Sequence, residues 1–176
     1  MASLFGHGLL AWSISQLPPF NRQGSKSRWI GIGSSILPDL DVVAFRFGIP
    51  YEHMLGHRGF THALIFAIGW AWLMNGLFFK IGERTFSRWL FFFICTASHG
   101  VLDACTSGGR GVGFFIPFSG ERYFFPWRPI LVSPLSPTDF FSEWGWRVLM
   151  SEAVYIGLPA VVLMVIGWLV RNKNRG

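Results

Sequence analysis

Residues 89–105 read WLFFFICTASHGVLDAC, an apolar run of about the length that crosses a bilayer as one helix. His99 and Asp103 stand four residues apart, so on a helix their side chains lie on one face. Burying two such groups in an apolar membrane helix is costly, which makes a functional role the default interpretation. Imidazole and carboxylate are also a common ligand pair for zinc and similar divalent ions. The alternative is a His–Asp hydrogen bond that only stabilises the helix.

The composition is that of an integral membrane protein. Of the 176 residues, 51% are apolar and 14% are charged, with 19 Phe and 9 Trp, and the mean hydropathy is +0.41. The formal charge of +6 would suit a nucleic-acid partner in a soluble protein. Here the basic residues cluster between apolar runs, which indicates membrane topology and no nucleic-acid partner. The length predicts a single domain over residues 1–176.

The apolar runs predict an all-α, polytopic membrane helical bundle with about four or five membrane segments. The first run, residues 4–17, is too short for a comfortable span, so we expect it to be half-inserted or tilted. Pro38, Asp39 and Asp41 interrupt the second run, residues 29–47, which predicts a broken or bent helix. Clear spans are predicted at residues 63–79, 89–105 and 148–170. The aromatic stretch 106–146 is predicted to be a long outer loop that forms a lid or binding surface.

Basic residues fall in alternate connections, which predicts the orientation of the bundle. The positive-inside rule places residues 20–28, residues 80–88 and the C-terminal tail in the cytoplasm. Their basic residues are Arg22, Lys26, Arg28, Lys80, Arg84, Arg88, Arg171, Lys173 and Arg175. With this topology, four segments deliver their His and Asp residues to one depth near the outer face.

These polar residues are the predicted metal ligands: His7, Asp39, Asp41, His57, His62, His99 and Asp103. Taken singly, the histidines could be ordinary interface residues and the aspartates a helix cap or turn. Together they suffice for one or two divalent ions with positions left for water; zinc is the expected metal, with manganese or iron as alternatives. Of Asp39 and Asp41, we expect one to bind metal and the other to orient a histidine. Metal-activated water favours a hydrolase.

Arginines near these ligands indicate an anionic substrate. Arg58 lies between two predicted ligands, and Arg110, Arg122 and Arg128 lie in the outer loop. Guanidinium groups bind phosphate oxygens in a forked geometry, so Arg58 and Arg122 are candidate catalytic residues that hold a lipid-like or phosphoester substrate. The alternative for each arginine is an anchor to membrane lipid headgroups.

A different class of function is also open. Buried His and Asp residues in membranes form ion or proton paths, and a metal site can be purely structural. The sequence has no internal repeat of the kind that transporters commonly carry, which favours the hydrolase.

Three motifs in order resemble those of the YdjM-like family: residues 35–41 (SILPDLD), residues 57–62 (HRGFTH), and Ser98-His99 through Leu102-Asp103. Residues 117–119 (PFS) and Arg122 extend the resemblance, which covers most of residues 1–135. That family is described as LexA-regulated, metal-dependent hydrolases of the bacterial inner membrane. The resemblance implies the metal ligands Asp39, Asp41, His57, His62, His99 and Asp103. The order of these ligands is also similar to that of zinc-dependent phospholipases C, which favours phosphoesters.

Overall fold

Helices dominate the computed structural model, which describes residues 1–134 and 136–173, without the side chain of Pro137. The described residues form seven α-helices in order: α1 (Leu4–Ile14), α2 (Gly24–Ile36), α3 (Leu64–Phe78), α4 (Phe86–Ala104), α5 (Pro137–Phe140), α6 (Glu143–Glu152) and α7 (Leu158–Lys173). Short 3-10 segments are Phe20–Arg22, Leu37–Phe47, Phe60–His62 and Ile81–Glu83. The described residues form only isolated β-bridges and no strand, which confirms the all-α prediction. Arg175, predicted as part of the basic tail, lies outside the described residues.

Proline ends α2 where the sequence predicts a broken helix. Pro38 has no N–H to donate, and its ring crowds the preceding turn, so the α-helix stops at Ile36. The chain continues as the 3-10 segment Leu37–Phe47, which ends at Gly48 in the left-handed conformation. The interruption predicted within residues 29–47 is therefore confirmed, and it positions Asp39 and Asp41 just beyond the end of α2.

The last helix begins earlier than the predicted boundary at residue 148. Helix α6 starts at Glu143 and continues through a π-helical turn, Ala153–Gly157, into α7. Pro159 lies two residues after that turn, and because proline cannot donate an N–H, a widened turn accommodates it without ending the helix. The predicted 106–146 loop is correspondingly shorter, because α5 and the start of α6 occupy its end. Leu135 in that loop lies outside the described residues.

Helix α4 forms the centre of the fold and contacts α1, α2 and α3. Its buried Phe91, Phe92 and Cys95 belong to the main apolar core. Gly31 of α2 faces this core, where an added Cβ would lie 2.4 Å from Phe91 Cε1. The glycine therefore permits the close approach of α2 to α4. Helix α7 packs against α1 on the other side.

One helical stretch among the described residues is long and apolar enough to cross a membrane. It is Glu143–Lys173, with 31 residues, and only 17% of its apolar window is buried. Helices α1 and α3 are apolar but have 11 and 15 residues. Helix length and composition thus identify one candidate span, and the predicted four or five membrane segments are not confirmed.

Basic side chains meet at one end of the bundle. Lys26 Nζ donates to the carbonyl oxygen of Phe78 at 2.5 Å, and Arg88 Nε donates to Ser27 Oγ at 3.1 Å. These contacts join the start of α2, the end of α3 and the start of α4. The opposite ends of the same helices therefore meet at the other pole of the bundle, where the predicted ligands lie.

Candidate metal centre

Four buried side chains converge where the sequence predicts a metal site. They are Asp39, His62, His99 and Asp103, and one potential ligand atom from each lies within 4.8 Å of all the others. Asp39 comes from the 3-10 segment after α2, and His62 from the residues that precede α3. His99 and Asp103 come from the last turns of α4. Three separate parts of the chain thus build one compact donor set.

The distances within this set suit a single divalent ion. His99 Nε2 lies 3.2 Å from Asp39 Oδ1 and 3.0 Å from His62 Nε2. His62 Nε2 lies 3.6 Å from Asp103 Oδ2. Around zinc, with bonds of about 2.0–2.1 Å, tetrahedral ligand atoms are separated by roughly 3.3 Å. The four residues therefore fit a zinc-like ion in both ligand type and spacing.

Hydrogen bonds behind both histidines aim their Nε2 atoms into the cluster. His99 Nδ1 donates to the carbonyl oxygen of Ser35 at 2.7 Å. His62 Nδ1 donates a hydrogen bond to Thr61 Oγ1 at 3.1 Å and lies 3.2 Å from Asp41 Oδ2, its carboxylate partner. Partners of this kind fix the tautomer and ring orientation of metal-binding histidines. They leave both Nε2 atoms free to bind a cation.

Protonation of His62 offsets the negative charge of the buried carboxylates. Burial lowers the pKa of His62, but the carboxylates of Asp103 and Asp41 outweigh burial and raise the pKa to about 9. The protonated imidazole then supplies positive charge between two buried carboxylates. A metal ion would replace that proton.

Asp39 and His7 are left without hydrogen-bond partners among the described residues, at both carboxylate oxygens and both ring nitrogens. His7 stacks on His99 with ring centroids 3.8 Å apart, and its Nε2 lies 3.5 Å from Asp103 Oδ1. Buried polar atoms without partners are energetically costly, and each calls for an explanation. A cation between these side chains would satisfy them, and this is the strongest structural argument for a metal site.

Asp41 and His57 lie one layer further out. Asp41 Oδ1 accepts from His57 Nδ1 at 2.6 Å, while Oδ2 accepts from the Arg58 amide at 2.9 Å and from Thr61 Oγ1 at 2.8 Å. This network holds the carboxylate against His62. Of the seven predicted ligands, the structure places four together, His7 beside them, and Asp41 with His57 in the orienting layer.

Arg58 is fully buried, and its guanidinium contacts the Asp103 carboxylate of the donor set. Its Nε donates to Asp103 Oδ2 at 3.0 Å. The two terminal nitrogens donate to Thr106 Oγ1 and to the carbonyl oxygen of Gly108, each at 2.9 Å. Arg58 has φ of 61°, an uncommon conformation for a residue with a side chain. Its guanidinium thus positions a predicted ligand instead of opening onto the surface.

The outer-loop arginines also have protein partners. Arg122 donates to the carbonyl oxygens of His57 at 3.0 Å and Tyr51 at 2.8 Å, which ties down the loop that carries His57. Arg110 forms an exposed ion pair with Glu52. Arg128 lies over the Phe124 ring at 4.6 Å. Arg58 and Arg122 therefore organise the site through protein contacts in this structure, and the substrate-holding role expected of them stays a prediction.

Sequence reasoning missed Glu152 and the backbone contacts of the site. Glu152 is buried and accepts from the amide and hydroxyl of Ser3, next to the Ala2 amide that donates to Asp103 Oδ1 at 2.8 Å. An acid within an apolar run was the available signal, since the same rule singles out Asp103. The Ser35 carbonyl has no sequence signal, because every residue carries one.

Comparisons with known proteins show similarity to inner membrane proteins. The model of the YdjM inner membrane protein family matches residues 1–175. The inner membrane protein YbcI of Escherichia coli (strain K12) is 41% identical over 143 residues, which cover 78% of this chain and 80% of the relative. No solved structure matches the chain.

Proposed function

Because the chain belongs to the YdjM inner membrane protein family, we propose that it is a multi-pass bacterial inner-membrane hydrolase that depends on a divalent metal ion. Besides Glu143–Lys173, helix α4 has 19 residues, a length of about 28 Å at 1.5 Å per residue. Helix α3, with 15 residues, reaches about 22 Å. In this proposal these three cross the bilayer, while the shorter α1 and α2 are half-inserted.

Exposed apolar side chains on the proposed spans support insertion. On α3, Trp72 and Leu77 are 76% and 68% exposed, and on α7 Leu158 is 61% exposed. Large exposed apolar surfaces of this kind mark contact with lipid or another partner. The basic end formed by Lys26 and Arg88 would face the cytoplasm, which puts the metal centre near the outer face.

The observation that carries the hydrolase proposal is the set of buried, unpartnered donor atoms around Asp39 and His7. Asp39, His62, His99 and Asp103 would hold one ion, with His7 beside them. Zinc is the expected metal for such nitrogen and oxygen donors, and manganese and iron are the alternatives. Bound there, a divalent ion supplies acidification of water and polarisation of a phosphoryl or carbonyl oxygen. The expected substrate is a lipid-like molecule or a phosphoester, and the surrounding membrane lipids are its source.

The protein contributes a rigid frame to this chemistry. Ser35 orients His99, Asp41 orients His62, and Arg58 orients Asp103, each by a hydrogen bond or close ion pair described above. Binding groups that are already oriented need little reorganisation when a reaction develops charge. The four side chains are also buried, so charges at the site interact in surroundings of low dielectric constant.

Elemental analysis of the detergent-purified protein, with no metal added, tests the proposal. We expect about one equivalent of zinc, manganese or iron, retained in a His53→Ala variant because His53 lies at the surface. An intact fold that contains no metal and takes up none on titration would overturn it.

Chelation then separates a hydrolase from a structural metal site. In a hydrolase, a chelator removes turnover of lipid phosphoesters while the fold survives, and the metal restores turnover. In a structural site, the chelator lowers the unfolding temperature and no turnover is found at any stage. Metal-independent ion flux in vesicles would instead favour an ion or proton path.

A further inference from the structure

A cavity of about 380 Å³ lies directly beside the metal centre. Helix α1, the 3-10 segment after α2, and the α5 region form its walls. Its apolar lining comes from Leu4, Phe5, Ile36, Leu40, Val42 and Phe140. The volume is within the range of small-molecule sites, about 300–1,000 Å³.

Asp39 connects this cavity to the metal centre. Asp39 is one of the residues that line the cavity and is 4% exposed, and its two carboxylate oxygens are buried with no hydrogen-bond partner among the described residues. The same carboxylate lies 3.2 Å from His99 Nε2. The cavity thus has mainly hydrocarbon walls, with Ser3, Ser133 and Ser136 as further polar lining residues, and Asp39 is the lining residue that belongs to the donor set.

The rim of the cavity is open and apolar. Phe5 and Phe141 line it and are 69% and 89% exposed. In a membrane protein, exposed aromatic rings of this kind suit lipid contact. A peptide in such a cavity would leave its backbone hydrogen-bonding groups unsatisfied, whereas a hydrocarbon chain needs no polar partner.

We propose that this cavity takes the hydrocarbon chain of an amphiphilic substrate whose polar head reaches the metal centre at Asp39. This inference rests on the proposed function, because the head is held by the metal-loaded donor set. A chain that comes from the bilayer leaves one apolar medium for another, so the cavity selects chain shape while the head supplies most of the affinity. The substrate class is therefore a lipid phosphoester. The cavity holds one hydrocarbon chain, whether the lipid has a single chain or several chains.

Photocrosslinking with an alkyl phosphate that carries a diazirine on its chain tests the assignment. The protein is embedded in lipid nanodiscs, and labelled peptides are identified by mass spectrometry. We expect labels on Phe5, Leu40 and Phe140, and several-fold fewer of them in Leu4→Trp, where the larger ring fills the cavity. Leu9→Trp is the matched control, because Leu9 is on the same helix, is 38% exposed and is not part of the lining.

Val42→Trp repeats the test from the opposite wall in case Leu4→Trp does not fold. Metal content is measured on every sample. A failure of the metal-dependent hydrolase proposal can therefore be distinguished from a failure of the cavity proposal. Labels spread equally over α3 and α7 in all variants would overturn the cavity assignment even with metal bound. Cavity labels in a protein that cannot bind metal would support the chain site and overturn the hydrolase.

Discussion

Arg58 and Asp103 form a buried ion pair in which the arginine Nε donates to Asp103 Oδ2 at 3.0 Å. The other oxygen of the same carboxylate accepts from the Ala2 amide at 2.8 Å. Each carboxylate oxygen has two lone pairs, so these contacts fix the carboxylate and leave a lone pair on each oxygen for a cation. Asp103 is thus anchored from two sides before any metal binds.

Replacing Arg58 with alanine should destabilise the protein by about 3–5 kcal/mol, because the buried Asp103 carboxylate loses its charged partner. Thermal unfolding in detergent measures the effect as a lower midpoint. Arg110→Ala is the control, since its ion pair with Glu52 is exposed and should contribute little. Equal midpoints for Arg58→Ala and wild type would contradict the assigned role.

Removing a central ligand should abolish metal binding. We expect His99→Ala to lose the metal and remain inserted in the membrane, because removing this ring takes away a donor atom and leaves the ion pair between Arg58 and Asp103 in place. Asp103→Ala should lose the metal and also destabilise the fold, since Arg58 is then buried without its carboxylate.

Elemental analysis after membrane extraction measures both variants against His53→Ala. Full metal occupancy in His99→Ala and Asp103→Ala would show that the ion binds at another place in the protein.

Asp39→Asn and Asp41→Asn should differ, although the two residues are separated by one position. Asp41 orients His62 from outside the donor set, and losing such a partner typically weakens metal affinity about 10–100-fold. Asp39 has unpartnered oxygens that would bind the ion itself, so Asp39→Asn should lower the metal affinity more than Asp41→Asn does. Competition with a chromophoric chelator gives both affinities. The assignment is wrong if Asp41→Asn weakens binding as much as Asp39→Asn.

Metal affinity should rise with pH. In the metal-free protein the pKa of His62 is raised to about 9, so the imidazole carries a proton at neutral pH that the metal must displace. Affinity should therefore increase by about tenfold per pH unit until the pH approaches that pKa. Zinc titrations with a competing chelator at a series of pH values measure the slope, and a flat profile would rule out proton displacement at His62.

The metal-free protein should show the opposite dependence in its stability. Because the folded pKa of His62 exceeds its ordinary value of 6.5, protonation stabilises the fold fully below about pH 6.5. That stabilisation is lost as the pH rises through about 9. A chelated sample should therefore unfold at lower temperature at alkaline pH, and added metal should reverse the loss.

Much of the candidate site followed from sequence because consecutive helices of a bundle alternate in direction. With that alternation, His7, His62 and His99 fall at the same end of the bundle. Which aspartate faces the cluster could not be read from Pro38-Asp39-Leu40-Asp41, since that depends on the 3-10 geometry after α2. The inward course of Arg58 depends on its left-handed backbone and on the loop around Gly108, neither of which has a sequence signature.

The last helix shows the same limit. Its apolar character predicts an α-helix, but neither its start at Glu143 nor the π-helical turn Ala153–Gly157 can be read from the apolar pattern. The contact between Ser3 and Glu152 joins residues 149 positions apart. No local pattern predicts such a pairing.

That same contact bears on how the protein matures. During translation at about 5–20 residues per second, Ser3 waits roughly 7–30 s before Glu152 has been synthesised. His7 and Asp39 are made well before Asp103, so the early helices carry buried polar groups whose counterparts have not yet been synthesised. The donor set of Asp39, His62, His99 and Asp103 is therefore assembled late, and the contact of the C-terminal helix with the first helix forms last. A chain truncated before Glu152 would carry every proposed ligand but would lack the contact between Glu152 and Ser3 that joins the C-terminal helix to the first helix.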